Sequence, residues 1–251
     1  KYSSKRINPK CSHFELCGGC SWQNMNYEDQ LKYKDKEVTE NLNRIGKTEG
    51  YIKLPIIKSE KTYGHGYAEF YEKHFSNLRD KKLNILEIGS YSGASAAAFV
   101  KYFKDINIYC LDINLTKFLY KSKKIHPFGL DVSNKKMVEK FLNKINFFEN
   151  IKTFDIIIDD GSHILSDQLK AIDYFFKYLN KDGYYVIEDY RFSEYITHLN
   201  DTDDPCVREF FEILKKNINK DFKFISSETL ENIRKNISNI FEYKGNQKIS
   251  G

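Results

Sequence analysis

FDIIIDDGSH, residues 154–163, carries three consecutive isoleucines into two adjacent acids, a glycine, a serine and a histidine. A strand that is apolar on both faces belongs in a parallel sheet covered by helices, because an antiparallel strand with one wet face alternates apolar and polar residues. Buried strands end in whatever turn chemistry is convenient. An acid pair with an imidazole three residues on is therefore either a solvated loop or a site.

The flanking sequence supports the parallel sheet. Upstream, LNILEIG (83–89) and INIYCLDI (106–113) read as strands, with helices over GASAAAFVKYF (93–103) and from about Lys135 to Asn146. Downstream, a helix from about Leu165 to Leu179 leads to the strand GYYVIED (183–189). This alternation predicts an α/β fold, Rossmann-like and doubly wound, with a mostly parallel sheet. Beyond Asp189 come a helix over 207–217 and a short helical stretch near 229–235. FKFIS (222–226) and ISNIFEYKG (237–245) read as late strands, so an antiparallel closing strand is expected.

LEIGSYSGASAAAF (86–99) places Glu87, Gly89, Ser90, Tyr91 and Gly93 across the first strand-to-helix turn. Glycine there lets backbone approach a ligand, and the helix start offers free N–H groups. The plain alternative is a tight βα connection. Asp112, ending the second strand, stands where an acid can take both ribose hydroxyls, and together the two features point to a nucleoside-containing cofactor.

If the strands 154–160 and 183–189 are neighbours, Asp159, Asp160, Glu188 and Asp189 converge at the sheet edge where open α/β folds bind ligands. Crowded carboxylates repel unless a cation sits among them, and Mg²⁺ suits oxygen ligands with open water positions. Alternatively the acids cap the following helices or stay solvated.

At the head, CSHFELCGGCSWQ (11–23) groups Cys11, Cys17 and Cys20 at a spacing suited to an iron–sulfur cluster. A structural zinc site would need a fourth ligand, for which His13 is nearest. An amphipathic helix is expected over 27–47, with Gly46 as its stop, and Gly50 and Pro55 mark a linker. The organisation predicted is a Cys-cluster and helix head (1–47), a linker (48–61) and a catalytic-type domain (62–251).

The 251 residues suffice for a sizeable core, and 41% hydrophobic residues exclude a disordered chain. A net charge of +5 is too small to argue for nucleic acid. No run reaches the roughly 18–20 apolar residues that span a bilayer, and no signal peptide is visible, so no membrane partner and a cytoplasmic location are expected. The chain begins at Lys1, as a fragment or processed product would.

E-x-G-x-x-x-G resembles the class I methyltransferases that use S-adenosylmethionine. That resemblance implies that residues 89–93 cradle the methionine part, Asp112 holds the ribose and Asp131 faces the adenine. DDGSH (159–163), the helix carrying Gln168 and GYYVIEDY (183–190) resemble, over about 58–224, the metal-dependent sugar O-methyltransferases of macrolide biosynthesis and cephalosporin-hydroxylase-like relatives. This implies that Asp160, Glu188 and Asp189 bind Mg²⁺, that His163 is the general base for a hydroxyl of a sugar or glycosylated acceptor, and that Asp159 supports them. KTYGHGYAEFYEKHF (61–75) resembles that family's segment before the first strand, making Tyr63 and His65 candidates beside the cofactor.

The head, through about Lys47, resembles the cluster-binding region of RNA uridine-5-methyltransferases. A fourth cluster cysteine and that family's catalytic cysteine are not found. Two further readings follow: an RNA methyltransferase guided by its head, or a module that binds cofactor or RNA without catalysis.

Overall fold

A computed structural model describes residues 67–243. The predicted head, the linker, the cysteine cluster, Tyr63 and His65 lie outside the described residues. In chain order the elements are α1 (Ala68–Phe75), β1 (Lys82–Ile88), α2 (Ala94–Tyr102), β2 (Asp105–Asp112), β3 (Ile125–Gly129), α3 (Lys135–Glu149), β4 (Phe154–Asp159), α4 (Leu165–Phe175), β5 (Leu179–Ile187), α5 (Phe192–Tyr195), α6 (Val207–Lys215) and α7 (Ser227–Asn236).

The five strands form one parallel sheet in the order β3-β2-β1-β4-β5. Ile85 of β1 sits between Ile108 of β2 and Ile156 of β4, so the middle of the sheet is branched aliphatic on three adjacent strands. The chain reverses its direction of travel between β1 and β4, and at that reversal the carboxyl ends of neighbouring strands diverge into a crevice.

Successive side chains alternate between the two helical layers. Leu86 and Ile88 join Val138, Phe141, Leu142 and Ile145 of α3 in one core. On the other side, Tyr71 of α1 meets Phe99 of α2 edge-on at 5.6 Å, and Phe75 meets Tyr184 of β5 at 5.3 Å. A further apolar cluster joins α4, α6 and α7 through Leu169, Phe210 and Leu230. Among the described residues no helix is long and apolar enough to cross a membrane.

Local chemistry fixes several boundaries. Asn134 caps α3 by accepting the N–H groups of Lys136 and Met137, and Asn150 closes it in the left-handed conformation at φ 53°. No side chain at the start of α4 caps it, and Asp201, far along the chain, accepts the Ser166 N–H there at 3.0 Å.

Two expectations need correction. Residues 222–226 and 237–243 form no strand, so among the described residues the sheet is wholly parallel and has no antiparallel closing strand. Their apolar side chains, Phe222, Ile225, Ile237 and Ile240, pack on the α4–α6–α7 cluster, and burial there replaces ladder pairing. Conversely, β3 went unpredicted. Its Pro127 weakens a strand signal, but β3 is an edge strand, where a missing N–H can face away from the ladder.

Candidate functional site

The glycine turn after β1 is held by backbone bonds to the end of β2. Gly89 N–H and Ser90 N–H donate to the Leu111 carbonyl at 2.8 and 3.3 Å, and Gly93 N–H donates to the Ser90 carbonyl at 2.7 Å. Gly89 and Gly93 have φ of 81° and 77°, and Tyr91 between them has φ 43°. A Cβ on Gly93 would meet the Phe118 ring at 2.6 Å.

Asp112 stands at the end of β2, where the sequence put it. Its two oxygens accept the Tyr91 N–H at 2.7 Å and the Asn114 N–H at 2.8 Å, so this carboxylate fastens the glycine turn to β2. Each oxygen keeps a second lone pair for a ligand hydroxyl. Asp131, in the loop after β3, accepts both the N–H and the hydroxyl of Ser133 through one oxygen, at 2.9 and 2.7 Å.

Glu87 and Ser90 are buried. The Ser95 hydroxyl of α2 donates to the Glu87 carboxylate, which thereby joins the first strand to the first turn of the following helix. Tyr91 is 60% exposed, its hydroxyl 3.3 Å from the Lys117 ammonium.

The acid pairs end neighbouring strands, as required for them to meet: β4 pairs with β5, with Asp159 opposite Ile187. Asp160 N–H extends the ladder to the Ile88 carbonyl at 2.9 Å, and Glu188 N–H to the Asp159 carbonyl at 2.8 Å. Beyond these points the chain turns sharply, with His163 at φ 58° and Asp189 at φ 49°. The turns bring ligand atoms of Asp160, His163 and Asp189 within 4.8 Å of one another, all three partly buried. His163 Nε2 is 4.0 Å from Asp160 Oδ1, and the imidazole packs edge-on against Phe192 at 5.3 Å.

Glu188 lies outside that cluster. It is buried, and the Tyr71 hydroxyl of α1 donates to its carboxylate. Tyr67 donates likewise to Asp189 Oδ1 at 2.5 Å. Burial, reinforced by the adjacent carboxylate charges, pushes both phenols well above their usual range, so at neutral pH each remains a donor. These tyrosines, Tyr67 at the N-cap of α1 and Tyr71 one turn on, went unpredicted as site residues. Their helical i, i+4 spacing is the signal that could have found them. Asp159 is fully enclosed, and burial is the main cause that raises its carboxyl to about 7, with the charge of Asp160 adding to it.

The donor set suits a small hard cation. Opposite ligands of an octahedral Mg²⁺ stand roughly 4 Å apart, close to the spacing of this trio, and two carboxylates leave positions for water or a substrate oxygen. The glycine turn, after β1, lies two strands from the Asp189 loop, and Asp112, at the end of β2, lies three strands from it, all at the same carboxyl edge of the sheet.

Residues 86–190 match a family described as a methyltransferase domain. The match begins in β1 and ends just past β5, so it encloses the glycine turn and both acid pairs.

Among curated relatives, an uncharacterized RNA methyltransferase of Bacteroides thetaiotaomicron is 46% identical over 77 residues, 31% of this chain and 16% of that protein. The 8-demethyl-8-alpha-L-rhamnosyl tetracenomycin-C 2'-O-methyltransferase of Streptomyces olivaceus is 31% identical over 138 residues, 52% of this chain and 35% of that protein. The chain thus spans about a third or less of the length of these relatives. Among solved structures, the MycE methyltransferase from the mycinamycin biosynthetic pathway, in complex with Mg, SAH and mycinamycin VI, aligns with a TM-score of 0.53 at 24% identity. The alignment covers 61% of this chain and 43% of that one. This similarity establishes that the methyltransferase domain shares that protein's fold.

Proposed function

We propose that this protein is an S-adenosylmethionine- and Mg²⁺-dependent O-methyltransferase acting on a hydroxyl of a small, sugar-like acceptor. The observation that supports it best is the convergence of Asp160, His163 and Asp189 at the carboxyl end of the sheet, across one crevice from the glycine turn. The cofactor would lie over residues 89–93, its ribose on Asp112 and its adenine beside Asp131. The similarity to a tetracenomycin sugar 2'-O-methyltransferase points the same way.

Asp160 and Asp189 would hold the ion, with Tyr67 orienting the Asp189 carboxylate through its hydrogen bond. Glu188, tied to Tyr71, would add negative charge behind them. Bound Mg²⁺ supplies positive charge beside an acceptor hydroxyl and so lowers its pKa. His163 takes the hydroxyl proton at Nε2, the nitrogen that faces Asp160. The acceptor oxygen then bonds to the methyl carbon as the carbon–sulfur bond breaks, leaving a neutral thioether.

The test is methyl transfer from S-adenosylmethionine to a panel of glycosides before and after chelation. Activity that disappears with EDTA and returns with Mg²⁺ is expected; transfer indifferent to chelation would overturn the metal-dependent reading.

The similarity to RNA methyltransferases favours a second reading, methylation of RNA. The cysteine chemistry implied by that resemblance finds no activated thiol among the described residues. Burial pushes Cys110, inside β2, and Cys206, just before α6, above the usual thiol range. Transfer to RNA that survives chelation would establish this second reading.

A further inference from the structure

A cavity of about 1130 Å³ opens beside β5, and its wall includes Asp189 together with Arg191 and Arg208. The two guanidinium groups share a single carboxylate. Arg191 Nε is 3.3 Å from Glu194 Oε1, and Arg208 Nε is 3.3 Å from both Glu194 oxygens. Arg191 also donates one Nη2 bond to the Tyr195 hydroxyl. Among the other carboxylates on the cavity wall, Glu212, whose charge also acts on Arg208, is bonded by the Lys215 ammonium at 2.9 Å, and Glu242 accepts the Tyr190 hydroxyl. The two guanidinium groups thus make their ion pairs with the same carboxylate.

The hydrogen-bond inventory is also incomplete. A guanidinium carries five N–H donors in a planar fork, and Arg208 spends only Nε on Glu194, while its side chain remains 43% exposed. Its Nη groups make no bond to any described residue, and Arg208 lines the same cavity as Asp189. Glu194, only 15% exposed, holds both arginines in place as a fixed pivot. Free, pre-oriented guanidinium forks bind carboxylate or phosphate oxygens in pairs and gain little from a neutral hydroxyl.

We propose that Arg208 and Arg191 form an anion-recognition subsite, so that the acceptor of this domain is an acidic sugar, bearing a carboxylate or a phosphate, rather than a neutral one. The subsite rests on the acceptor entering beside Asp189, as in the function proposed above. Arg191, two residues past Asp189, would take the near oxygen of the anion, and Arg208 the far one.

The test is binding by ligand-observed NMR to the full chain in the presence of Mg²⁺ and S-adenosylhomocysteine. The probes are methyl glucuronide, glucose 6-phosphate and the neutral methyl glucoside. At least one anionic probe is expected to bind about tenfold or more tightly than the neutral one, and the stronger of the two identifies carboxylate or phosphate as the source of the charge. In Arg208→Gln that preference is expected to vanish, whereas Arg208→Lys retains part of it. Arg191→Gln provides an independent variant should Arg208→Gln fail to fold, as judged by its thermal melt. Equal affinities for all three probes, or a preference that persists in both glutamine variants, would overturn the proposal. Methyl transfer on the same probes separates the two claims. Anion preference without transfer leaves the subsite and removes the O-methyltransferase reading; transfer to the glucoside without anion preference does the reverse.

Discussion

Gly89 lies so close to Asp160 that a Cβ added to it would stand 2.0 Å from the Asp160 carbonyl oxygen. The glycine turn and the acid loop are therefore one packed unit, and Gly89 is required by protein backbone before any ligand arrives. Substituting Gly89→Ala should cost at least about 2 kcal/mol, from overpacking and from the left-handed φ together. Because the clash falls on the carbonyl of a proposed metal ligand, Mg²⁺ affinity should fall along with cofactor affinity. Urea denaturation and calorimetry check this; an alanine variant of unchanged stability and affinity would refute the packing.

Tyr71 and Glu188 form a second such tie, between α1 and the end of β5. Tyr71→Phe keeps the ring packed against Phe99 and removes one donor from a buried carboxylate, which should cost about 1–3 kcal/mol. Tyr67→Phe, at a less buried bond to Asp189, should cost less stability and weaken Mg²⁺ binding more. Comparing the two in denaturation and metal titrations tests that division, and a reversed order would contradict it.

His163→Ala should leave S-adenosylhomocysteine binding in place while methyl transfer falls about a hundredfold, the usual worth of a positioned general base. Paired calorimetry and single-turnover rates measure both. A rate within about threefold of the parent protein would remove His163 from proton transfer.

Acid should expose the remote cap on α4. Burial raises the Asp201 carboxyl, but bonds from the Ser166 hydroxyl and N–H, with the Lys170 charge, outweigh it and bring the value below the ordinary 3.8. A carboxyl depressed in the folded state stabilises above its unfolded pKa, and that contribution is lost as pH falls through the folded value. Asp201→Asn should therefore cost about 1 kcal/mol at neutral pH, in the range of helix caps, and much less near pH 2. Denaturation midpoints at the two pH values decide it; an equal cost at both would show that charge plays no part.

The central strands were legible because β1, β2 and β4 are mostly apolar and are buried on both faces along their second halves. The position of the acids and glycines at the strand ends was legible because the apolar runs stop there, although Gly89 and Asp112 also serve the backbone itself. What escaped has physical causes. Pro127 masked a strand whose edge position excuses it. The short apolar stretches 222–226 and 237–241 read as strands by composition, yet Phe222, Ile225, Ile237 and Ile240 pack as a cover on helices, with a separation of three within each pair that does not fit one face of a strand. Leu179–Asp182 carry turn-like residues but already belong to β5, whose register against β4 shifts between Phe154 and Ile156. The Asp160–His163–Asp189 grouping depends on backbone turns with positive φ, which residue type alone does not announce at histidine or aspartate.

Tyr91, His163 and Asp189 each occupy the left-handed region without being glycine, at about 1 kcal/mol apiece. Evolution toward heat tolerance would meet a conflict at these corners. Glycine there would relax the chain, yet at His163 and Asp189 it would erase the very group the corner exists to aim. Durable variants of this domain should consequently arise from changes on the helical layers, with the loop corners left as they are.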